Sequence, residues 1–173
     1  MRKVIHVVEN LDRKATEAWL IRMLRHARKK GIELDWTFYC TLNKPGEMDD
    51  EARELGARVV HSPSPLGEKR AFMSALRSEV VRGNYDVMHS HHDLVSAVYL
   101  VATQGTSLQR RIVHIHNAAD ALPSRGGLKQ DVLKSMMREI CLITADRIVG
   151  NSNNSLDTFL NGRARRTGRD VVH

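Results

Sequence analysis

Apolar runs typical of buried β-strands alternate with helix-like segments along the whole chain. The first helix-like segment shows the pattern clearly, because its apolar residues follow helical spacing and share one face: Trp19, Leu20, Met23, Leu24 and Ala27. Strands that alternate with helices through short loops form a parallel sheet with helices on both faces. Right-handed crossovers then make this an α/β, doubly wound, Rossmann-like domain with a mainly parallel sheet.

Turn residues mark the limits of the predicted elements, since Gly31 and Gly56 each follow a helix-like segment. The predicted helices are Ala15–Lys30, Met48–Leu55, Ala71–Arg82, Leu94–Gln104, Leu128–Thr144 and Ser155–Leu160. The predicted strands are Val4–Val8, Glu33–Cys40, Arg58–His61 and Arg147–Val149, with two more inside Tyr85–His92 and Arg111–Asn117. Residues 123–127 are predicted to form a flexible loop, and residues 169–173 have the composition of a further strand that has just begun.

The 173 residues are enough for one domain with a proper core, and 42% of them are hydrophobic. No stretch approaches the ~20 consecutive apolar residues of a membrane span. The apolar run after Met1 ends at Glu9 and is too short for a signal peptide, so a cytoplasmic location is predicted. Cys40 and Cys141 belong to no CxxC pair, which argues against a disulfide framework or a zinc knuckle.

The formal net charge of +7 favours polyanionic partners, such as nucleic acid, phosphorylated substrates or an acidic membrane surface. Aromatic residues make up 5% of the chain and do not interleave with basic ones, so nucleic acid is the least favoured of these partners. Much of the positive charge lies in two segments: Arg22, Arg25, His26, Arg28, Lys29 and Lys30, then Arg163, Arg165, Arg166 and Arg169. The first segment is either a solvated helix face or a surface for an anionic membrane.

Two of the predicted strands end in histidines, and in open α/β sheets the carboxyl ends of the strands carry the ligand site. His89 and His114 lie further inside their strands and are predicted to be core residues. His91, His92 and His116 lie nearer the loops and could bind sugar or phosphate oxygens.

Metal ligation by these histidines is the alternative. Either Asp93 or Asp120 could complete such a site. The chain lacks the HExxH spacing, and no cysteine accompanies these histidines, although zinc sites usually have one or the other. Metal ligation is therefore the less favoured hypothesis.

The first strand–helix connection, residues 9–17, lies where doubly wound folds commonly hold a phosphate at a helix N-terminus. It contains no glycine, so the GxGxxG fingerprint of dinucleotide binding is absent. Lys14 and Thr16 could contact an anion there. The alternative is that Asp12 or Thr16 caps the helix and Lys14 is solvated.

Five segments resemble the N-terminal half of a retaining nucleotide-sugar glycosyltransferase of the GT-B fold: "HVVENLDRKATEAWLIRML", "ELGARVV", "YDVMHSHHDL", "RIVHIHN" and "ADRIVGNSNNS". The family is glycosyl transferases group 1, or family four, and the similarity is to enzymes of exopolysaccharide assembly. It covers nearly the whole chain, in the order that the family shows.

The resemblance implies two Rossmann-like domains that face a cleft. Residues 1–173 correspond to the N-terminal, acceptor-side domain, and the C-terminal domain that binds the nucleotide-sugar donor has no counterpart in the chain. The implied reaction is transfer of a hexose from a nucleotide-diphosphate donor to a glycan or lipid-linked acceptor, with retention of configuration and with no metal or other cofactor. Without the second domain the chain is expected to bind but not to turn over.

Family members commonly carry a Gly-Gly-Ala-Glu loop that approaches the donor phosphates. The matching residues here are Lys14, Ala15, Thr16 and Glu17, so both glycines are replaced and side chains occupy the space that a close backbone approach needs. By the resemblance, Lys14, Ala15 and Thr16 are predicted to bind substrate.

The family's histidine after the fifth strand contacts the donor sugar near the reacting centre, and it matches His116, the predicted catalytic residue. The histidine-bearing loop after the fourth strand matches His91 and His92, which are predicted to bind substrate together with Asn117.

A cytoplasmic protein that is peripheral at the inner membrane face would suit a lipid-linked acceptor. Two alternatives remain open, a stand-alone Rossmann-like binding or regulatory module and a histidine-based metal hydrolase.

Overall fold

The computed structural model describes residues 1–117, 127–167 and 169–172. Over these residues the strands form one parallel sheet in the order β3-β2-β1-β4-β5-β6-β7. The strands are β1 Arg2–Val8, β2 Leu34–Cys40, β3 Arg58–His61, β4 Val87–Ser90, β5 Arg110–Ile115, β6 Arg147–Gly150 and β7 Asp170–Val172. The helices are α1 Ala15–Lys29, α2 Asp49–Glu54, α3 Lys69–Gly83, α4 Ser96–Ala102, α5 Gly127–Thr144 and α6 Asn153–Leu160.

The doubly wound α/β prediction is confirmed. The chain begins in the middle of the sheet at β1, runs outward to β3, then returns to β4 and continues to the other edge, so β1 and β4 are neighbours at the point where the winding reverses. A crevice opens beyond the carboxyl ends of strands at such a point. The further strand predicted at residues 169–173 is present as β7. Most of the predicted loop at residues 123–127, and also Asp120, lie outside the described residues.

Two apolar cores lie against the sheet. Side chains alternate along a strand, so β1 contributes Ile5 and Val7 to the larger core, while Val8 belongs to the smaller core with residues of α1 and β2. In β5, Val113 and Ile115 also belong to the larger core. The intervening His114 therefore lies on the opposite face of β5, the face on which α1 packs.

Two arginines of the basic first helix are engaged within the domain. Arg25 forms an ion pair with Glu51 of α2. Arg28 donates to three backbone carbonyls, those of Leu34, Leu55 and Gly56. They are therefore less available to an external anion than the sequence alone indicates. Among the helices described, none combines the length and apolar character needed to cross a membrane.

Candidate functional site

A cavity of about 400 Å³ lies at the carboxyl edge of the sheet, between the start of α1 and the ends of β5 and β6. Its lining residues are Ala15, Thr16, Trp19, His114, His116, Asn117 and Asn151. The parallel sheet brings these residues together, because successive strands all end at the same edge.

The backbone at His116 is held from both sides by side chains. The His116 N–H donates to Asp93 Oδ1 at 2.7 Å, and Asn117 Nδ2 donates to Asp93 Oδ2 at 2.7 Å. The His116 carbonyl accepts a hydrogen bond from Asn151 Nδ2 at 2.8 Å. Hydrogen bonds to a buried carboxylate are stronger than neutral ones, so the backbone at His116 and the side chain of Asn117 are each held in one position.

The capping box of α6 orients Asn151. Ser152 and Ser155 form the box, in which Ser155 N–H donates to Ser152 Oγ and Ser152 N–H donates to Ser155 Oγ. The Ser155 hydroxyl also donates to Asn151 Oδ1 at 2.8 Å. With its oxygen engaged there, the amide of Asn151 turns its NH₂ group to the carbonyl of His116.

Three imidazoles and a hydroxyl form a hydrogen-bonded row that runs from the interior to the cavity. His6 Nδ1 lies 3.2 Å from His91 Nε2, and His91 Nδ1 lies 3.2 Å from His116 Nε2. His116 Nδ1 lies 3.5 Å from Thr16 Oγ1. Each contact needs one donor and one acceptor, so the tautomers of neutral rings in the row are linked. We name these four residues the histidine row.

Aromatic contacts pack the histidine row. His6 stacks on Trp36 at a centroid distance of 4.5 Å, and His116 stacks on His114 at 4.1 Å. Trp19 meets the ring of His114 edge-on at 5.6 Å. Trp19 therefore does more than pack in the core of the domain, since it also lines the cavity.

Burial keeps the inner rings neutral. Burial lowers the pKa of His6 to about 3, with a further contribution from nearby His114. Burial also lowers the pKa of His91 well below its ordinary value, and the neighbouring histidines, His89 first, lower it further. These rings can therefore exchange hydrogen bonds at neutral pH without carrying charge.

Four of the residues predicted from the sequence line the cavity together, namely Ala15, Thr16, His116 and Asn117. His91 lies behind His116 and contacts it directly. The positions of these residues do not test the catalytic role of His116 or the substrate contacts, which stay predictions. Of the two histidines predicted to be core residues, His114 is buried but also lines the cavity, and His89 is only half-buried.

His92 and Lys14 have partners away from the cavity lining. His92 Nδ1 lies 2.5 Å from the Tyr99 hydroxyl, and burial lowers the pKa of His92 to about 4. Lys14 pairs with Glu9 at 2.5 Å, which raises the pKa of Lys14 and lowers that of Glu9. Helix α1 follows Lys14 with no side-chain cap, so the alternative in which Asp12 or Thr16 caps it is wrong.

Sequence reasoning missed His6, and it did not assign Asn151 a part in the site. A polar residue inside the apolar run of β1 was the available signal for His6. Asp93 was considered only as a metal ligand, but both of its oxygens accept hydrogen bonds from the loop after β5.

Three groups among the described residues have donor atoms close enough to hold a metal ion. They are His6 with His89 and His91, His91 with His114 and His116, and Cys40 with Asp49 and His61. The first two groups share His91, and the second of them includes His114 and His116, which line the cavity.

Comparison with known families decides what kind of domain carries this cavity. The model of glycosyltransferase family 4 matches residues 16–168, almost the whole chain. The chain belongs to glycosyltransferase family 4. The resemblance to an N-terminal GT-B glycosyltransferase domain is thereby confirmed, and the binding module and the metal hydrolase are not favoured.

This family 4 domain is similar to the capsular polysaccharide biosynthesis glycosyltransferase CapH of Staphylococcus aureus, with 22% identity over 153 residues. The match covers 88% of the chain and 41% of CapH. The chain therefore spans about two fifths of the length of this relative.

Solved structures share the fold of the family 4 domain. Anabaena Alr3699/HepE in complex with UDP-glucose matches with a TM-score of 0.65 and 15% identity, over 99% of this chain and 43% of that one. A sucrose-phosphate synthase from Thermosynechococcus elongatus matches with a TM-score of 0.61 and 14% identity, over 99% of this chain and 87% of that one. The Rossmann-like half of a GT-B protein is the common element.

Proposed function

We propose that the chain is the acceptor-side domain of a retaining hexosyltransferase. The enzyme would move a sugar from a nucleotide-diphosphate donor to a glycan or lipid-linked acceptor. The observation that carries the proposal is the cavity at the carboxyl edge of the sheet, between the start of α1 and the ends of β5 and β6, with His116 fixed at its edge by Asp93 and Asn151.

The comparisons support a sugar-nucleotide donor. HepE was solved with UDP-glucose, and the S. aureus protein MnaA, another structure of similar fold, was solved with UDP. CapH is named for capsular polysaccharide biosynthesis, which favours a polysaccharide or its lipid-linked precursor as the acceptor.

His116 is the proposed catalytic residue, and it contacts the donor sugar near the reacting centre. A fixed backbone lets its imidazole meet the sugar without reorganisation, which is how preorganised polar groups lower a barrier. Thr16, with Ala15 beside it at the start of α1, faces the same cavity and is proposed to contact substrate oxygens. His91 positions His116 through the 3.2 Å contact in the histidine row.

The leaving nucleotide diphosphate needs positive charge close to it. In this proposal that charge comes from a second, donor-binding domain, and transfer needs no metal cofactor. Within the cavity lining of the present domain no lysine or arginine is found among the described residues. The domain by itself is therefore proposed to bind acceptor without turning over.

The enzyme is proposed to work in the cytoplasm, peripheral to the inner membrane face, where a lipid-linked acceptor is available. Net positive charge supports attraction to anionic lipid. Helix α5 adds exposed apolar side chains: Leu128, Val132, Leu133 and Met136. Arg22 of α1, which is exposed, can contribute to the same attraction.

A transfer assay tests the proposal on the enzyme that contains this domain. Labelled nucleotide sugars are supplied one at a time with a membrane extract as acceptor, and incorporation into lipid and polysaccharide fractions is measured. His116→Ala should lower kcat roughly 100-fold, the loss usual for one preorganised polar group. His26→Ala, on the exposed side of α1, is the matched control and should leave kcat unchanged.

Thermal unfolding of both variants separates a catalytic loss from a folding defect. If no donor gives incorporation with the parent enzyme, the transferase proposal fails. If His116→Ala keeps full kcat while remaining folded, the assignment of His116 fails.

A further inference from the structure

Five of the nine histidines of the chain form one wall beside the cavity: His6, His89, His91, His114 and His116. They come from β1, β4, β5 and the residues that follow β4 and β5. His89 and His114 stack with their planes nearly parallel, 5° apart. The proposed transfer uses only His116, which contacts the sugar, and His91, which positions it, so it gives no role to His6, His89 and His114.

We propose that His91, His114 and His116 form a site for a transition-metal cation of the zinc class, open to the cavity. This inference goes beyond the proposed function, in which transfer needs no metal. Neutral imidazole nitrogen is a ligand that zinc, copper and nickel all accept.

The distances suit such a cation. The donor atoms of the three histidines all lie within 4.8 Å of one another. Two nitrogens bound to a tetrahedral zinc at about 2.0–2.1 Å are ~3.4 Å apart, and His91 Nδ1 lies 3.2 Å from His116 Nε2. Two of the three ligand nitrogens therefore already lie at about the separation that a tetrahedral site needs.

Access favours this outer group over the inner one. His114 and His116 line the cavity, so a cation can enter and keep one position open for water or for a ligand oxygen. In the inner group, neither His6 nor His89 lines the cavity, and the ring of His6 is covered by Trp36.

The third group lies beside β2 and β3, in the other half of the sheet, and its carboxylate already has a cationic partner. Asp49 Oδ2 lies 2.7 Å from His61 Nε2 and 3.6 Å from the Arg53 guanidinium. A cation there would have to compete with Arg53, and burial raises the pKa of the Cys40 thiol to about 12. Beside the outer histidine group, none of the described residues that line the cavity is a lysine or an arginine.

A metal at this site would occupy His116, which the donor sugar is proposed to contact. The predicted consequence is that zinc inhibits transfer and a chelator restores it. Binding itself is independent of transfer, so it is measured first and on the domain alone.

The test uses the untagged chain freed of metal, titrated with Zn²⁺ alone by calorimetry and with Co²⁺ alone by visible absorption. One equivalent of Zn²⁺ should bind and raise Tm, and Co²⁺ should give the intense absorption of a tetrahedral site. His116→Ala should weaken binding more than ~100-fold, because losing a ligand costs more than the 10–100-fold typical of outer-shell partners. His26→Ala should bind as the parent does.

Two results would overturn the proposal. One is Zn²⁺ binding by the parent that is absent or unaffected by His116→Ala. The other is binding that His6→Ala abolishes and His116→Ala retains, which would place the cation in the inner group. Unfolding monitored by circular dichroism shows that each metal-free variant is folded before it is titrated. A failure here leaves the transfer assay untouched, so the two proposals fail separately.

Discussion

Acidification from pH 7 to pH 5.5 should strongly destabilise the domain, because three buried histidines remain neutral when it is folded. Burial lowers the pKa of His6 to about 3 and that of His92 to about 4. Burial and the surrounding rings hold the pKa of His91 well below its ordinary value. In the unfolded chain each ring returns to a pKa near 6.5.

The sign and size of the effect follow from proton linkage. Below pH 6.5 the unfolded chain binds protons that the folded domain does not, so the free energy of unfolding falls as the pH falls. His6 and His92 each account for about 1.2 kcal/mol between pH 7 and pH 5.5, and for about 2.4 kcal/mol together, and His91 adds to the loss in the same direction. The loss continues until the folded rings take up protons themselves, near pH 4 for His92 and pH 3 for His6. Burial raises the pKa of Glu17, so its earlier protonation in the folded state offsets part of the loss near pH 5.

Urea unfolding at pH 7.0, 6.0 and 5.5 measures this loss, with EDTA present so that no cation occupies the histidines. Fluorescence of the two tryptophans reports unfolding. His6→Asn should reduce the loss between pH 7 and pH 5.5 by about 1.2 kcal/mol, whatever it does to stability at pH 7. His26→Asn, at an exposed position of α1, is the matched control variant. A free energy of unfolding that stays constant from pH 7 to pH 5.5 would refute the reasoning.

Three further substitutions test the hydrogen bonds at His116 and the proposed membrane contact. Asp93→Asn should lower the free energy of unfolding by about 1–3 kcal/mol in urea at pH 7, because an NH₂ group replaces one of the two oxygens that accept from the His116 N–H and Asn117 Nδ2 and cannot accept in its place. An unchanged value would show that the carboxylate does not hold the backbone at His116. Arg22→Glu and Val132→Asp should each reduce co-flotation with phosphatidylglycerol vesicles, and 0.5 M salt should abolish the contribution of Arg22 but not that of Val132. Equal flotation of both variants and the parent would remove the membrane from the proposal.

The fold could be predicted because its signals are local. Each helix–strand pair shows its own periodicity, and even the three residues of β7 were visible as Asp170-Val171-Val172. The order of the strands is not local. Nothing in the sequence states that β1 pairs with both β2 and β4, yet that pairing sets His6 opposite His89 in neighbouring strands.

The candidate site could be predicted only in part for the same reason. His116 and Thr16 were found because each lies at the end of a recognisable element. His6 was missed because its role depends on a neighbour 85 residues away, His91. Likewise, a basic helix shows its charges in the sequence but not their partners, so the ion pair of Arg25 with Glu51 was not foreseeable.

The histidine row also links the cavity to a buried tryptophan, Trp36. With neutral rings its hydrogen bonds can all point toward Thr16 or all point toward His6, and reversing one reverses the rest. A molecule that accepts a hydrogen bond at the cavity end selects one direction, and a molecule that donates selects the other. Reversal of the row also reverses the dipole of the hydrogen bond between His91 and His6. The ring of His6 stacks on the buried indole of Trp36, with the ring centroids 4.5 Å apart. Trp19 lines the cavity itself, so the expected signal is measured in a Trp19→Phe variant, in which the emission of Trp36 should differ between ligands that donate and ligands that accept a hydrogen bond at the cavity.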